Sequence, residues 1–437
     1  MKKKVAFFIS NRVYSSLDCR KIVDGNPGIG GSEYMKILIS YLLTIRENNI
    51  VVTVFVTAKP LFPPEIMTEL VSNLTEAVLV ADRRMMDYII FDCNPQNMAL
   101  VKDISPKHLR FITWCHNFAS LEALDKLAKD NRFFKVITVG REQRDLYLDH
   151  SVYNKTEYIY NTVNTEAVNH YSVKSFPVAD RKNNVVFIGV INKYKGFHIL
   201  AQAWPKVIES VPDAELYVIG AGNLYDRNVE LGKWGIADKE YEDCFMQYLS
   251  KDGKVLKSVH FLGIMGEEKN EILLRTKVGV PSLGVPETFG LVAIEMQMMG
   301  TSIVTRECPG FLDTVVTGKF IKNRNDLANS IIEELRTPHN NYDRTIEEIK
   351  QRFSVEVVIK DWEELILTGK INRDERLVNK SFRYKWLKEK LRLLKQKCQI
   401  LQIIPPVELL LSFYYRYVYN RLLKYHKNSK FDYIDIF

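Results

Sequence analysis

Cysteine is scarce in this sequence, and its positions do not form a metal site. Six cysteines occur in 437 residues, without a Cys-x-x-Cys pair or the ligand spacing of a zinc site. Scattered thiols of this kind are typical of a reduced compartment, so we expect no structural zinc. They are Cys19, Cys93, Cys115, Cys244, Cys308 and Cys398.

Long apolar runs are also missing. No stretch of about 18 uncharged apolar residues occurs, so no segment is predicted to span a bilayer. The N-terminus is Met-Lys-Lys-Lys followed by Val5–Ile9, which is too short for the apolar part of a signal peptide and has no small-residue cleavage site. We therefore expect a cytoplasmic protein whose first buried strand is Val5–Ile9. Neither a repeat of solenoid period nor a low-complexity segment is present.

Positive charge is concentrated near the C-terminus. Between Lys380 and Lys430 there are 13 Lys and Arg against 2 Glu, a net charge of +11, whereas the whole chain carries +8 and the remainder therefore −3. A nearly neutral body argues against nucleic-acid binding by that body. The basic tail predicts contact with something anionic.

Apolar strand-like runs alternate with helical patterns, which is typical of parallel α/β sheets. The length and an apolar fraction of 46% allow two domains with substantial cores and an extension. We predict a first Rossmann-like domain at 1–169, a linker at 170–184, a second Rossmann-like domain at 185–352, a helix at 353–373 and a basic amphipathic tail at 374–437. The predicted strands are Val5–Ser10, Val51–Val56, Tyr88–Asp92, Phe111–Trp114, Val136–Val139, Glu157–Ile159, Val185–Ile188, Leu216–Ile219, Val259–Leu262, Val278–Val280 and Ser302–Thr305.

The segment Pro281–Gly300 carries the clearest chemical signal. A turn rich in Pro and Gly opens into a helix, and we expect the first helical amides at Phe289, Gly290 and Leu291. Unpaired amides at a helix N-terminus bind phosphate. Glu287 in the turn and Glu295 in the helix flank this position, and carboxylates repel phosphate unless they face hydroxyl groups. The arrangement predicts a diphosphate with hydroxyl-bearing groups on both sides, although the bare spacing of two glutamates also occurs on solvated surface helices.

Glu287 to Glu295, with Glu-Thr-Phe-Gly inside, resembles the paired-glutamate donor motif of retaining glycosyltransferases of family 4. The resemblance covers about residues 1–365 and implies a GT-B fold, in which two Rossmann-like domains face each other across a cleft, the first binding the acceptor and the second binding the nucleotide-sugar donor. It implies that Glu287 contacts hydroxyls of the transferred sugar and that Glu295 holds the ribose. The amides around Phe289, Gly290 and Leu291 would bind the diphosphate.

Other segments extend this resemblance over both domains. Val185–Leu200 is similar to the strand, glycine and Lys-Gly of the family, so Lys195 would contact the donor phosphates. The family usually has Arg directly after the glycine, where this chain has Val190; Lys193 substitutes for it, or the phosphate site has one cation fewer. Gly220 belongs to a glycine turn near the nucleotide.

The first domain contributes two further candidate segments. Gly28-Ile-Gly-Gly-Ser-Glu33 resembles the family's glycine-rich loop, and Gly30 and Gly31 could bring amides to the donor phosphate or to the acceptor. A nicotinamide fingerprint is a poor fit, because such a motif should follow the strand at once. His116 follows a strand end and is expected near the primary hydroxyl of the sugar or near the acceptor.

The resemblance implies a chemistry without a cofactor or a metal ion. In a retaining transfer of this family, the leaving diphosphate helps to take the proton of the acceptor, and no Asp-x-Asp loop for Mg²⁺ occurs here. The substrates would be a UDP or GDP sugar and a glycan or lipid-linked acceptor. The predicted catalytic residues are Glu287, Lys195 and His116, and the predicted donor-binding residues are Gly30, Gly31, Lys193, Lys195, Gly220, Glu287, Thr288, Phe289, Gly290, Leu291 and Glu295.

We expect a role in cell-surface polysaccharide synthesis. Two alternatives stay open: a GT-B-fold isomerase of nucleotide sugars resembling a 2-epimerase, and a non-catalytic sugar-binding subunit, which Val190 favours. The tail at 380–430 interleaves Lys and Arg with Trp, Leu and Tyr, which suits an anionic membrane surface on the cytoplasmic face. The same pattern also fits a helical appendage that packs on the body with a solvated charged face.

Overall fold

The computed structural model describes residues 2–46, 49–166, 170–171, 173–223, 230–338, 341–373 and 383–414. Two parallel sheets, one in each half of the chain, form its framework. Residues 374–382 and 415–437, which belong to the predicted basic tail, lie outside the described residues.

The first sheet has seven parallel strands in the order β3-β2-β1-β4-β5-β6-β7. Its inner strand β1 is buried over Val5–Ile9, as expected for a parallel sheet covered on both faces. The strand order reverses between β1 and β4, and in open α/β sheets ligands bind at the carboxyl ends next to such a reversal. The strands are β1 Lys3–Ile9, β2 Ile50–Val56, β3 Thr68–Leu70, β4 Tyr88–Asp92, β5 Arg110–Cys115, β6 Phe133–Thr138 and β7 Thr156–Tyr158.

The second sheet has six parallel strands in the order β12-β9-β8-β13-β14-β15. Its order reverses between β8 and β13, again leaving a crevice at the carboxyl ends. The strands are β8 Asn184–Ile188, β9 Glu215–Ile219, β12 Val259–Gly263, β13 Val278–Gly279, β14 Ser302–Arg306 and β15 Gly318–Ile321, with an antiparallel hairpin of β10 Ser250–Lys251 and β11 Lys254–Val255 beside them.

Helices cover both sheets. The first-domain helices are α1 Gly31–Ile45, α2 Leu74–Arg83, α3 Pro95–Leu100, α4 Leu121–Lys129 and α5 Arg141–Asp145. The second-domain helices are α6 Phe197–Ser210, α7 Lys239–Leu249, α8 Lys269–Leu274, α9 Leu291–Met298, α10 Pro309–Thr314, α11 Leu327–Arg336 and α12 Tyr342–Phe353. Within the described ranges, no helix is both long enough and apolar enough to cross a bilayer.

Helix α13, Val355–Thr368, returns the chain to the first domain. Its Trp362 is fully buried, with ring centroids 4.7 Å from Trp114 and 6.4 Å from Phe7. One apolar core therefore includes residues of the first sheet, α13 and the second domain. This packing holds the two domains together behind the cleft.

The sequence analysis did not predict four short strands, namely β3, β10, β11 and β15. Strand β3 consists of Thr, Glu and Leu with no buried residue, so it has no apolar signature. Strands β10 and β11 have two residues each. Such strands are too short to be recognised from alternating apolar and polar residues. The two-sheet α/β architecture itself agrees with the prediction.

Two further helices, α14 Arg383–Lys397 and α15 Val407–Tyr414, pack on the first domain. Asp149 of that domain, whose side chain is 1% exposed, accepts hydrogen bonds from Lys395 Nζ and from the Val407 amide, each at 2.7 Å. Lys395 also donates to the Pro405 carbonyl at 2.7 Å. The described part of the tail is thus a helical hairpin fixed by a buried ion pair, which we call the Asp149-anchored hairpin.

Candidate active site between the two sheets

The turn before helix α9 brings Glu287 to the carboxyl end of the second sheet. Gly290 has φ +90°, and a Cβ there would lie 2.6 Å from the Phe311 ring, so both conformation and space require glycine. Helix α9 begins at Leu291 with Gly290 as its N-cap, two residues later than the sequence analysis predicted. Its first free amides are therefore those of Leu291 and Val292, since Ala293 already donates to the Gly290 carbonyl. Glu295 lies inside the helix, as predicted.

Lys195 lies beside this turn although it is distant in sequence. Its carbonyl accepts from the amides of Leu283 and Gly284, at 2.9 Å and 3.3 Å. Its Nζ lies 2.5 Å from Oε1 of Glu287, and both side chains are half-buried, at 29% and 18% exposure. The two strongest predicted donor segments are therefore adjacent, with a cation and a carboxylate paired next to a helix N-terminus.

Glu295 belongs to a separate group of charges around Lys269 in helix α8. The Lys269 side chain is 7% exposed, and its Nζ lies 3.3 Å from Glu267 and 3.7 Å from Glu295. Burial alone would lower the pKa of Lys269, but these two carboxylates raise it above its ordinary value. Lys269, Glu267 and Glu295 line a cavity between the two domains. The cavity wall also includes Tyr34, but neither Glu287 nor Lys195.

The glycine-rich loop of the first domain closes over these residues. Gly30 is the N-cap of helix α1, and a Cβ on Gly31 would lie 3.4 Å from Leu291 of the second domain. A Cβ on Gly28 would similarly lie 3.2 Å from Ile264. Of the two predicted glycines, Gly31 therefore lies against the N-terminal end of helix α9.

His116 follows strand β5, and its ring is held by a carboxylate. Its Nδ1 lies 3.2 Å from Asp92 Oδ1, and the other oxygen of Asp92 accepts from Lys36 Nζ at 2.5 Å. Burial alone would raise the pKa of Asp92, but Lys36 and His116 together hold it below its ordinary value. The His116 carbonyl accepts from Thr288 Oγ1 at 2.6 Å, so His116 lies next to Glu287 across the domain boundary.

Phe289 contributes to packing between the domains. Its side chain is buried, with ring centroids 5.5 Å from Phe353 and 6.0 Å from Tyr160. Gly310 packs directly against the Phe289 backbone, where a Cβ would lie 2.4 Å from its amide nitrogen. The side chain of this motif residue therefore contacts the interdomain core.

A buried carboxylate joins the same interface. Asp313 accepts from the Glu142 amide at 2.9 Å and from the Tyr160 hydroxyl at 3.0 Å, and Arg352 lies 3.7 Å away. Burial raises the pKa of Asp313 to about 7, against the opposing attraction of Arg352. Because Glu142 and Tyr160 belong to the first domain, Asp313 links the two domains beside the cleft.

The remaining predicted residues differ in their surroundings. Gly220 follows strand β9 and packs against Gly189 after strand β8, where a Cβ would lie 1.9 Å from the Gly189 carbonyl oxygen. Val190 is 2% exposed and belongs to the interior. Lys193 is exposed, and its Nζ lies 5.5 Å from the centroid of the Tyr194 ring. The resting arrangement therefore does not bring Lys193 into the Lys195–Glu287 pair.

The sequence analysis missed four charged residues of this region: Lys36, Asp92, Lys269 and Asp313. Asp92 had a usable signal, because it ends a predicted strand next to the reversal of strand order. Lys36 had a weaker one, since it lies one helical turn after Glu33. Lys269 meets Glu295 through the packing of helices α8 and α9, and Asp313 meets Glu142 and Tyr160 across the domain boundary. Local patterns encode neither contact.

Within the described ranges, no three His, Cys, Asp or Glu side chains lie close enough together to hold a metal ion. The metal independence expected from the sequence stays a prediction.

Comparisons with known proteins show which family and which fold the chain resembles. Residues 172–352 match the sequence profile of the family Glycosyl transferases group 1. An uncharacterized glycosyltransferase of Methanocaldococcus jannaschii is 25% identical over 195 residues, which is 41% of this chain and 44% of that protein. A D-inositol 3-phosphate glycosyltransferase of Corynebacterium urealyticum is 29% identical over 133 residues, 30% of this chain and 29% of that protein. These matches span less than half of either relative.

Solved structures extend the likeness over both domains. The crystal structure of Anabaena HepE in complex with UDP-glucose has a TM-score of 0.58 and 16% identity, and the match covers 84% of this chain and 100% of that one. At such low identity, structural similarity shows a shared fold but not a shared function. The predicted GT-B fold is therefore confirmed. Residues 172–352 are therefore similar to the family Glycosyl transferases group 1, and the chain has the two-domain GT-B fold.

Proposed function

We propose that this protein is a retaining glycosyltransferase of family 4 that transfers a sugar from a nucleoside diphosphate to a glycan or lipid-linked acceptor in cell-surface polysaccharide synthesis. The observation that carries the proposal is the Lys195–Glu287 pair, 2.5 Å apart, next to the free amides that begin helix α9. A cation and helix amides bind a diphosphate, and a carboxylate beside them accepts from sugar hydroxyls.

Each residue then has a distinct task. Lys195 and the amides of Leu291 and Val292 stabilise the charge that grows on the leaving diphosphate. Glu287 gives up its pairing with Lys195 when sugar hydroxyls bind, and Glu295 holds the ribose from within helix α9. The acceptor approaches the same face of the sugar, and the leaving phosphate takes its proton. No carboxylate nucleophile is needed, in contrast to retaining glycoside hydrolases.

The donor is a UDP or GDP sugar. The UDP type is supported by the fold likeness to HepE, which was crystallised with UDP-glucose. The cavity beside Glu295 and Lys269 supports a nucleoside with exposed hydroxyl groups, because the Glu295 carboxylate can accept from them and amide side chains in the wall can both accept and donate.

Two other functions remain for the same fold. An isomerase of nucleotide sugars would convert its substrate without any acceptor. A non-catalytic binding subunit is favoured only by Val190, whose buried side chain leaves the phosphate site without the usual Arg.

Turnover of nucleotide sugars separates the three functions. We expect a panel of UDP and GDP sugars to include one from which the protein slowly releases nucleoside diphosphate, with the anomeric configuration of the free sugar retained in proton NMR. An epimerised nucleotide sugar without release would support the isomerase. Binding without any turnover, even with glycan and lipid-linked acceptors, would support the non-catalytic subunit.

We further propose that the tail attaches the protein to the anionic cytoplasmic face of a membrane. Ile400 and Ile403, in the turn of the Asp149-anchored hairpin, are 77% and 85% exposed, and Phe413 in α15 is 61% exposed. Large apolar side chains this exposed, within a segment of net charge +11, suit insertion at an anionic lipid interface. The anchor on Asp149 would then hold the first domain, which binds the acceptor, against the bilayer.

Flotation with vesicles tests this attachment. The double variant Ile400→Glu/Ile403→Glu keeps the Lys395–Asp149 anchor and should lose binding to vesicles that contain phosphatidylglycerol. Val13→Glu is the matched control, because Val13 is 68% exposed on the body of the protein. Binding of wild type should weaken as salt is added, since surface charges are screened within about 8–10 Å at physiological ionic strength. Wild-type protein that ignores anionic vesicles at low salt would rule out this attachment.

A further inference from the structure

Two cysteines lie side by side where strands β4 and β5 end. The register of the two strands ends with the pair Asp92 and Trp114. The Cys93 amide donates to the Trp114 carbonyl at 3.3 Å, which extends the pairing by one residue and places Cys93 opposite Cys115. Neighbouring strands lie about 4.8 Å apart, within the range of Cα separations that disulfides span, about 4.4–6.8 Å. The backbone therefore holds the two cysteines at a separation that a disulfide can bridge.

Both cysteine side chains lie on one face of the first sheet. Side chains alternate between the two faces along a strand, and paired residues of neighbouring strands share a face. In agreement, Cys115 belongs to an apolar cluster with Phe91 and Phe111, and Cys93 packs against the same cluster. Cys115 is fully buried and Cys93 is half-buried, and both are free thiols. The thiols are thus neighbours, and a small reagent can reach them from the Cys93 side.

The two thiols differ in acidity. A hydrogen bond from Cys115 lowers the pKa of Cys93 below its ordinary value, against the opposing effects of burial and of Asp92. The same hydrogen bond raises the pKa of Cys115, and burial adds to this effect. The thiolate is the form that attacks an oxidant, so Cys93 is the attacking residue and Cys115 remains a thiol beside it. This is the arrangement of an attacking and a resolving cysteine.

We propose that Cys93 and Cys115 form a redox-active pair that a hydroperoxide oxidises to a disulfide, and that this bond reversibly lowers sugar transfer in the neighbouring cleft. The part on transfer rests on the proposed function, whereas disulfide formation does not. In a reduced compartment the pair stays as two thiols until such an oxidant arrives.

The reaction consumes one hydroperoxide for each disulfide. The Cys93 thiolate attacks an oxygen of hydrogen peroxide and the O–O bond breaks, which gives a sulfenic acid and hydroxide; the hydroxide combines with the proton that Cys93 had lost. The Cys115 sulfur then attacks the Cys93 sulfur, gives up its proton and expels the sulfenic hydroxyl as water. Two thiols are oxidised by two electrons, and the peroxide is reduced to two molecules of water.

A bond between these strand ends would disturb the cleft, because the adjacent residues face it. Asp92 precedes Cys93 and His116 follows Cys115 in the sequence. The side chains of Asp92 and His116 are 3.2 Å apart, and the His116 carbonyl accepts from Thr288 of the second domain at 2.6 Å. Drawing the strand ends together therefore displaces the predicted catalytic His116. Misplacing a catalytic group by about 1 Å can lower a rate about 100-fold.

Peptide mapping after treatment with hydrogen peroxide tests the bond directly. We expect wild type to lose two hydrogen atoms in mass and to yield a cross-linked pair of tryptic peptides, 85–102 and 111–126, which dithiothreitol separates. Cys93→Ser should give no cross-link and leave Cys115 unmodified. Cys115→Ala should stop at a sulfenic acid on Cys93 that dimedone traps. Cys244→Ser is the matched control and should behave as wild type, because Cys244 is also half-buried but lies in α7 of the second domain.

Turnover of the nucleotide sugar tests the consequence of the bond. Peroxide should lower kcat/KM of wild type and of Cys244→Ser by about 10- to 100-fold, and dithiothreitol should restore it. Cys93→Ser should keep its own untreated activity after peroxide. Inhibition that persists in Cys93→Ser would place the effect at another thiol, such as Cys308, which accepts from the Glu287 amide at 3.4 Å. That result would overturn the regulatory role of the pair.

The outcomes separate this inference from the proposed function. If wild type turns over no nucleotide sugar, the proposed function fails, and the peptide map still decides whether the pair is redox-active. If both thiols stay free in peroxide, or if Cys93 is oxidised without a link to Cys115, the inference is overturned whatever the activity. A disulfide that forms without any change in kcat/KM would overturn the regulatory role.

Discussion

Glu295→Gln is expected to weaken the binding of nucleoside diphosphate, and the structure provides a matched control for this effect. The Glu295 carboxylate lines the interdomain cavity and lies 3.7 Å from the buried Lys269. If it holds ribose hydroxyls, the change to an amide replaces a charge-assisted hydrogen bond by a neutral one. The expected cost is about 1.5–3 kcal/mol, or about 10- to 150-fold in Kd.

The substitution also removes one of the two carboxylates next to Lys269, which could change affinity indirectly. Glu267→Gln removes the other one, at 3.3 Å from the same Nζ, and Glu267 is outside the predicted donor-binding set. Both variants should lower the free energy of unfolding to a similar extent, because each leaves Lys269 with one carboxylate. Only Glu295→Gln should show the large loss of affinity.

Isothermal calorimetry with nucleoside diphosphate, combined with denaturant unfolding of both variants, provides the two measurements. Equal losses of affinity in Glu267→Gln and Glu295→Gln would assign the effect to Lys269. Unchanged affinity in Glu295→Gln would refute the ribose assignment altogether. The full nucleotide sugar should show the same loss as the free diphosphate, since both contain the ribose.

Glu287→Ala should abolish most transfer while sparing nucleoside diphosphate binding, because its predicted partner is the sugar; Lys195→Ala should impair both, since phosphate charge is present in the ground state and grows in the transition state. Steady-state kinetics and calorimetry check the pair, and identical profiles would count against separate roles. Asp313 has a folded-state pKa raised to about 7, so its contribution to stability is complete below its unfolded pKa of about 4 and is lost as the pH rises through about 7. Thermal unfolding from about pH 5 to about pH 8 should therefore show wild type losing stability relative to Asp313→Asn, and a constant difference would contradict this. Truncation after Arg373 should abolish vesicle binding but leave activity on a soluble acceptor analogue. Vesicle binding by the truncated protein would contradict this prediction.

The alternation of apolar runs was sufficient to predict two parallel α/β sheets. Parallel strands that are buried on both faces are continuous apolar segments, and such segments are visible in the sequence without any tertiary information. The paired-glutamate segment was equally visible, because a turn, a helix start and two carboxylates all lie within Pro281–Gly300. The roles of its residues remain predictions until the variants are measured.

Local patterns failed where an element was too short or a start was decided by packing. Helix α9 starts at Leu291 because Gly290 adopts φ +90° against Phe311, a contact with a residue that the helix pattern does not contain. Strand β3 has no buried residue and is defined only by its pairing with β2.

The sequence by itself determined the sheet class, the position of the candidate donor segment and the charge of the tail, because each depends on residues that are neighbours along the chain. Tertiary structure alone decided which charges meet: Lys195 with Glu287, Lys269 with Glu295, and Asp92 with both Lys36 and His116. These pairs form where the carboxyl ends of strands and the starts of helices converge. Each pair lies within one domain, and its members are brought together by the packing of strands and helices that are distant in sequence.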